Sequence, residues 1–385
     1  MADILVDGNL DLDAVRSHFP ALKQNQIFFD NAGGSQVLSD AINSIRTYLE
    51  ETNVQLGASY NVGQKATQKY NQGLQAAADF INAHVSEIVI GPSTTQLFAN
   101  LAQSFALSFP ANAEIIVSSI DHEANISSWV RLAKIRNLTL KWWTPSSKPG
   151  DLKLTAENLR PLLSEKTKLV TCTHTSNILG SIHDIRRIAD EVHTVPGAML
   201  CVDGVAYAPH REVDVKSLGV DFYSFSWYKV YGPHIAVLYA SSSAQASVES
   251  LGHYFHAPAD TLAIKLGLAA ASYELVGTIP TLLSYFGPDA SARQKTWAAI
   301  AAHEENLQGI LLDFLNGRND VTVFGERDRD RALRVPVVSF RVEGRGSREV
   351  VERVDARSDF GIRWGHFYSK RLVEEVSGGK GRRAW

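Results

Sequence analysis

Cysteine is nearly absent from this chain: Cys172 and Cys201 are the only two among 385 residues. Both fall in apolar runs, which excludes a disulfide framework and implies buried free thiols in a reducing compartment. Long apolar runs are missing as well, and none reaches the roughly 20 residues needed to span a bilayer. The start, Met1-Ala2-Asp3-Ile4, has neither the basic stretch nor the apolar core of a signal peptide, so a cytoplasmic protein is expected. Without secretion, the acceptor patterns Asn125-Ile126-Ser127 and Asn137-Leu138-Thr139 are empty. Neither sign of charge dominates: 38 Lys and Arg stand against 41 Asp and Glu, a formal net charge of −3. That balance gives no electrostatic case for nucleic acid or an anionic membrane as partner. No G-x-G-x-x-G follows the early strand-like segments and no P-loop pattern occurs, which counts against a nicotinamide oxidoreductase. Internal repeats and low-complexity segments are lacking, and no metal site is expected.

What is present is an ordinary globular composition, 45% hydrophobic and 21% charged. The length suffices for one large domain and a smaller one. A short helical lead-in is expected over 13–24 and a strand over Ile27-Phe28-Phe29. Helical spacing follows over about 38–52 and 64–83. Glu87 to Ile90 reads as a strand, Gly91 to Thr95 as a turn, and Leu97, Phe98, Leu101 and Phe105 as one face of a helix. Strands and helices then alternate. Strands are expected near 115–117, 138–142, 169–172, 199–202, 222–225 and 235–239, and helices at 126–136, 155–163 and 185–193. Such βα alternation with nearly continuous apolar strands predicts an α/β fold, its mainly parallel sheet covered by helices. Leu251 to Pro258 reads as a boundary. Beyond it the pattern is helical to about 315 and returns to strands at Val321–Val323 and Val337–Phe340. The division expected is a large domain over 20–255 and a small C-terminal α+β domain over 256–385, with residues 1–19 packing on the latter.

Two residues organise the chemistry. Lys229 sits in Ser226-Trp227-Tyr228-Lys229-Val230-Tyr231-Gly232-Pro233, and Asp203 stands 26 residues upstream in Leu200-Cys201-Val202-Asp203-Gly204. Each closes an apolar, strand-like run. A lysine placed so can hold an aldehyde as a Schiff base. An aspartate at a strand end can hold a proton on a pyridine nitrogen, because each charge favours the ionised form of the other. Together they form the layout expected for pyridoxal phosphate. Ser93, Thr94 and Thr95, at the start of a helix, offer hydroxyls and N–H groups to a phosphate; their plain alternative is a helix cap. His122 can stack on the cofactor ring, and Asn177 can reach the ring hydroxyl or a substrate carboxylate. Alone, each of these has a structural alternative; their force is joint.

The ordered set Phe29-Asp30-Asn31-Ala32-Gly33, Ser93-Thr94-Thr95, Asp121-His122-Glu123-Ala124-Asn125, Thr175 to Gly180, Val202-Asp203-Gly204, Ser226 to Pro233 and Gly361 to His366 resembles the class V aminotransferases. It resembles specifically their cysteine-desulfurase-like branch among the fold-type I pyridoxal-phosphate enzymes. The resemblance implies a homodimer with active sites near the subunit interface. It implies Lys229, His122 and Asp203 as catalytic residues. It implies Thr94, Thr95 and Ser226 near the phosphate, and Ser93, Asn177 and Tyr228 are further cofactor-binding candidates. Asn31, Ala32, Gly33, Tyr368, Arg363 and Arg383 are the substrate-side candidates, Arg383 being the best match for a carboxylate-binding arginine and Arg363 the alternative.

Departures from the family's pattern shape the functional expectation. Tyr368 stands where desulfurases of this type have the cysteine that takes sulfur. Tyr228 replaces a frequent histidine, Ala206 a usual glutamine, and Ala269-Ala270 a Gly-Thr pair. A persulfide relay is therefore not expected. The expectation is chemistry at the alpha carbon of an amino acid, with C–C bond formation of the Mannich or aldol type favoured. That route resembles relatives in fungal natural-product pathways, such as the loline-type cyclase. C–S or C–C lyase activity, transamination and epimerisation stay open, as does a catalytically impaired protein that kept the fold.

Overall fold

The computed structural model describes residues 4–145, 152–255, 261–269 and 271–376. They divide into two compact units, one within 1–23, 35–109 and 211–299, the other within 24–34, 110–210 and 300–385.

In the first unit, strand Ile88–Gly91 pairs antiparallel with Ala236–Ala240, which pairs antiparallel with Phe222–Ser226. The segment joining the last two strands, 227–235, is too short for the crossover of about a dozen residues that a parallel pair requires, so the chain must turn back. Lys229 lies in that turn. Helix Thr94–Ser108 buries Leu97, Phe98, Leu101 and Phe105 along one stripe. Its cap is Ser93, whose hydroxyl accepts from the Gln96 N–H at 3.1 Å. Helix Asn61–Phe80 packs its small residues inward; a Cβ on Gly73 would collide with the Val276 carbonyl, which is why glycine stands there. Phe80 gathers an aromatic core with Phe225, Trp227, Phe286 and Trp297 at centroid distances of 4.9–6.0 Å.

In the second unit four parallel strands lie in the order Met199–Asp203, Thr167–Thr173, Glu114–Ser118, Thr139–Trp143. Helices Ser127–Arg136 and Ile185–Val192 make two of the three crossovers. The second is begun by Asp184, which caps the Arg187 N–H, and buries Ile185, Ile188, Ala189 and Val192 at helical spacing. Cys172 and Cys201, on adjacent strands, are both fully buried, as their apolar context implied. Further along, Val321–Phe324 pairs antiparallel with Ser339–Val342, and Leu312, Leu315 and Val323 form a small core beneath them. Arg334 is wholly buried. It is satisfied by main-chain carbonyls of Glu326, Val335 and Val337, which fixes the loop that joins the two strands.

Two expected helices are shorter than their spacing suggested, for one reason. Proline lacks an N–H and blocks the preceding turn. Pro20 ends helix Leu12–Ser17 and starts a 3-10 turn, and Pro161 does the same after Ala156–Leu159. Arg383, Ala270 and the end of the expected 251–258 boundary lie outside the described residues. Among the described residues no helix is long and apolar enough to cross a membrane.

Candidate active site

The first unit brings hydroxyls and the lysine together. Thr94 Oγ1 lies 2.9 Å from Ser226 Oγ, and both residues are buried. Ser224, two residues earlier and so on the same strand face, adds a third hydroxyl 3.3 Å from Thr94. The pairing depends on residues 132 apart in sequence, and only the alternation of serines in Phe222–Ser226 hinted at it. These hydroxyls meet at the start of a 15-residue helix, whose first N–H groups have no intrahelical acceptor and whose dipole favours an anion. Ser93 keeps its capping role, and Thr95 is exposed on the first turn.

Lys229 ends the 3-10 turn Trp227–Lys229. The turn is closed by N–H donation from Val230 and Gly232 to the Trp227 carbonyl, at 2.8 and 3.0 Å. The aromatics around it have separate duties. Trp227 is buried in the core, Tyr228 stacks on His234 at 5.0 Å, and Tyr231 packs on Phe19, Tyr285 and Phe286. Tyr231 is held at φ +59°, a left-handed conformation that costs a non-glycine residue about 1–2 kcal/mol.

The second unit gathers acids and rings at the C-terminal ends of its parallel strands. Asp203 closes Met199–Asp203 with 4% exposure, and its carboxylate accepts from the Val205 N–H at 2.9 Å. Beside it is a residue the sequence reading passed over. Asp121 is fully buried, accepts from the Thr173 N–H (3.0 Å) and from Asn125 (2.7 Å), and is pushed up to about 7. Burial is the largest cause and the Asp203 charge adds to it, against hydrogen bonds from Ser118, Asn125 and Thr173. Asn125 passes the network on to the Trp129 indole at 2.9 Å. His174, also overlooked, stacks on Tyr207 at 3.5 Å and is held neutral, its pKa driven well below the usual histidine value first by burial and then by His183. Ala206, where family members carry glutamine, is buried.

His122 caps the turn Glu123–Asn125: its Nδ1 accepts from the Ala124 N–H at 3.1 Å. Its ring lies 5.2 Å from Tyr368, tilted by 39°. The segment bearing Tyr368 is strained and pinned. Phe367 and Tyr368 both have positive φ, +45° and +58°. Asn177 donates to the Phe367 carbonyl (3.0 Å) and accepts from Ser369 (2.9 Å), while the Glu123 N–H donates to the Tyr368 carbonyl (2.8 Å). Asn177, expected near the cofactor or a carboxylate, thus has both ends of its amide engaged by this loop. Arg363 pairs with Asp30 and lies over the Phe367 ring at 5.1 Å; its guanidinium rests on Gly33, where a Cβ would displace it. Asn31, Ala32 and Gly33 form an exposed 3-10 turn beside that pair.

The donor sets suit pyridoxal phosphate. One unit offers buried hydroxyls on a helix start together with a lysine. The other offers a buried strand-end carboxylate that a protonated pyridine nitrogen would partner. The comparisons agree. The sequence matches the aminotransferase class-V family over residues 27–384. It is 54% identical to the aminotransferase-like protein FGM3 of Gibberella zeae, over 96% of this chain and 92% of that protein. It is 42% identical to the cysteine desulfurase-like protein ustD of Aspergillus flavus, over 97% and 85%. A cysteine desulfurase from Thermococcus onnurineus has the same fold, with a TM-score of 0.84 at 22% identity over 98% of this chain and 92% of that one. The chain therefore belongs to the class V aminotransferases, within their cysteine-desulfurase-like, fold-type I branch, and is a pyridoxal-phosphate-dependent enzyme.

Proposed function

We propose that this enzyme forms C–C bonds at the alpha carbon of an amino-acid substrate, in secondary metabolism, without a sulfur relay. The observation that carries the reading is the thiol inventory. Cys172 and Cys201 are each 0% exposed on sheet strands, and the loop beside His122 presents a tyrosine. Burial also raises the Cys172 thiol well above its ordinary value, and a neutral thiol is a poor nucleophile.

Bound pyridoxal phosphate supplies an electron sink that weakens the bonds at the substrate's alpha carbon. Thr94, Ser226 and the start of helix Thr94–Ser108, with Ser93 and Thr95, hold its phosphate. Asp203 would keep a proton on its ring nitrogen, and His122 would pack on its face. Lys229 would hold its aldehyde, and its amine would move a proton at the substrate's alpha carbon. Tyr368 is a phenol on a pinned main-chain segment on the substrate side, and the Arg363–Asp30 pair a candidate contact for the substrate carboxylate, with Arg383 the alternative. The same reading makes the enzyme a cytoplasmic homodimer; Phe29 and Phe360, exposed and in ring contact at 5.4 Å, are a surface that a second copy would cover.

The test is product analysis by mass spectrometry with a panel of amino acids, each with and without an added aldehyde. The reading expects a product joining the two. Alanine from cysteine, with its sulfur recovered as sulfide only when a thiol reductant is added, would instead support the desulfurase chemistry that the Aspergillus flavus relative's name suggests. No turnover, together with a wild type that stays colourless after pyridoxal phosphate is added, would leave only the impaired-fold alternative.

A further inference from the structure

The turn that bears Lys229 is not closed by its own hydrogen bonds alone. Those bonds use the Trp227 carbonyl and the N–H groups of Val230 and Gly232. They leave two main-chain groups bracketing the lysine: the Tyr228 carbonyl just before it and the Tyr231 N–H two residues after. Ser35 takes both. Its hydroxyl donates to the Tyr228 carbonyl at 3.1 Å and accepts from the Tyr231 N–H at 2.8 Å. Its own N–H donates to the Tyr228 carbonyl again, at 3.0 Å, and the Leu38 N–H follows by donating to the Tyr231 carbonyl at 3.0 Å. The two residues are 193 apart in sequence. A hydroxyl suits the place, because a single atom on a short side chain must donate and accept at once, and serine and threonine do this without charge.

We infer that Ser35 is the positioning residue for Lys229: it grips the main chain on both sides of the lysine and sets where the amine stands. The grip also explains how Tyr231 keeps its left-handed backbone. The Tyr231 ring is wedged among Phe19, Tyr285 and Phe286, and Ser35 and Leu38 hold its N–H and carbonyl. With these ties the turn is over-determined, as strained turns at reacting groups must be. Without the hydroxyl the lysine would keep its chemistry and lose its fixed position.

The inference rests on Lys229 being the lysine that holds the cofactor, and the test separates the two claims. Lys229→Ala comes first: if it keeps the visible absorption of the wild-type holoenzyme, the reading of Lys229 itself is wrong. If the absorption is lost, Ser35→Ala, Ser35→Thr and Thr278→Ala are compared. Thr278 is a buried residue whose hydroxyl donates to the Ala41 carbonyl, and it serves as the control for losing one hydrogen bond in this unit. Three quantities are read: the rate at which added pyridoxal phosphate gains its lysine-bound absorption, the pH midpoint of that absorption, and the thermal midpoint of the apoprotein. Ser35→Ala is expected to slow the absorption change about tenfold and to move its pH midpoint, as loss of alignment at a reacting group does. Ser35→Thr is expected to restore both, and Thr278→Ala to lower only the thermal midpoint. Should Ser35→Ala not fold, Ser35→Cys carries the same expectation, since a thiol donates and accepts only weakly. A variant at 35 that behaves as Thr278→Ala does, losing stability with wild-type rate and pH midpoint, would overturn the inference.

Discussion

Asp121→Asn in the apoprotein is the sharpest test of the carboxylate network. The acid is fully buried and pushed from its ordinary 3.8 up to about 7, first by burial and further by Asp203. Its folded pKa is raised, so the folded state holds a proton that the unfolded chain has already released. The resulting stabilisation is complete below pH about 3.8, declines as pH rises, and is gone once pH passes about 7. The full span is about 3 pKa units, which at 1.36 kcal/mol each gives roughly 4 kcal/mol. Between pH 5 and 7 the wild type should lose roughly 2 kcal/mol relative to Asp121→Asn. Asparagine keeps an acceptor for the Thr173 N–H and has no proton to lose. The assay is urea denaturation of both proteins across pH 5–8, with infrared detection of a neutral carboxylic acid that is absent from the mutant. A stability difference that stays flat across this range, or no such acid signal at pH 5, would refute the placement of Asp121 as a buried acid beside Asp203.

Thr94→Val removes one hydroxyl from the proposed phosphate cradle and should weaken pyridoxal phosphate binding by roughly tenfold, the value of one hydrogen bond to a charged group. Affinity for pyridoxal, which has no phosphate, should be unchanged, and equal weakening of both would place the phosphate elsewhere. Neither Cys172 nor Cys201 should react with an aromatic disulfide reagent in the native protein, and both should react in urea; rapid native labelling would remove the support for a relay-free mechanism. Gly180→Ala meets the Val337 carbonyl and Arg334 at φ +68° and should lower stability by about 2 kcal/mol or more, read from urea midpoints. Tyr368→Phe should leave amino-acid KM within about twofold and lower kcat if the phenol handles a proton at the substrate; unchanged kcat would reduce Tyr368 to a wall.

The sequence by itself determined the alternation of strands and helices, the two buried thiols, and the residues that define the family. Apolar runs, caps and turn residues are local signals, and Lys229, Asp203 and His122 sit in motifs whose order survives without coordinates. It also placed Thr94 at a helix start, because Ser93 caps that helix from one residue away. Tertiary structure decided everything that depends on distant partners. It paired Ala236–Ala240 with Ile88–Gly91, set Asp121 within reach of the Asp203 charge, joined Ser224 and Ser226 to Thr94, and committed Asn177 to the loop of Tyr368. It also set Ser35 against the lysine turn. The physical reason is common to these cases. A buried polar group must find a partner wherever the fold supplies one, and that partner's position along the chain follows no period that a sequence displays.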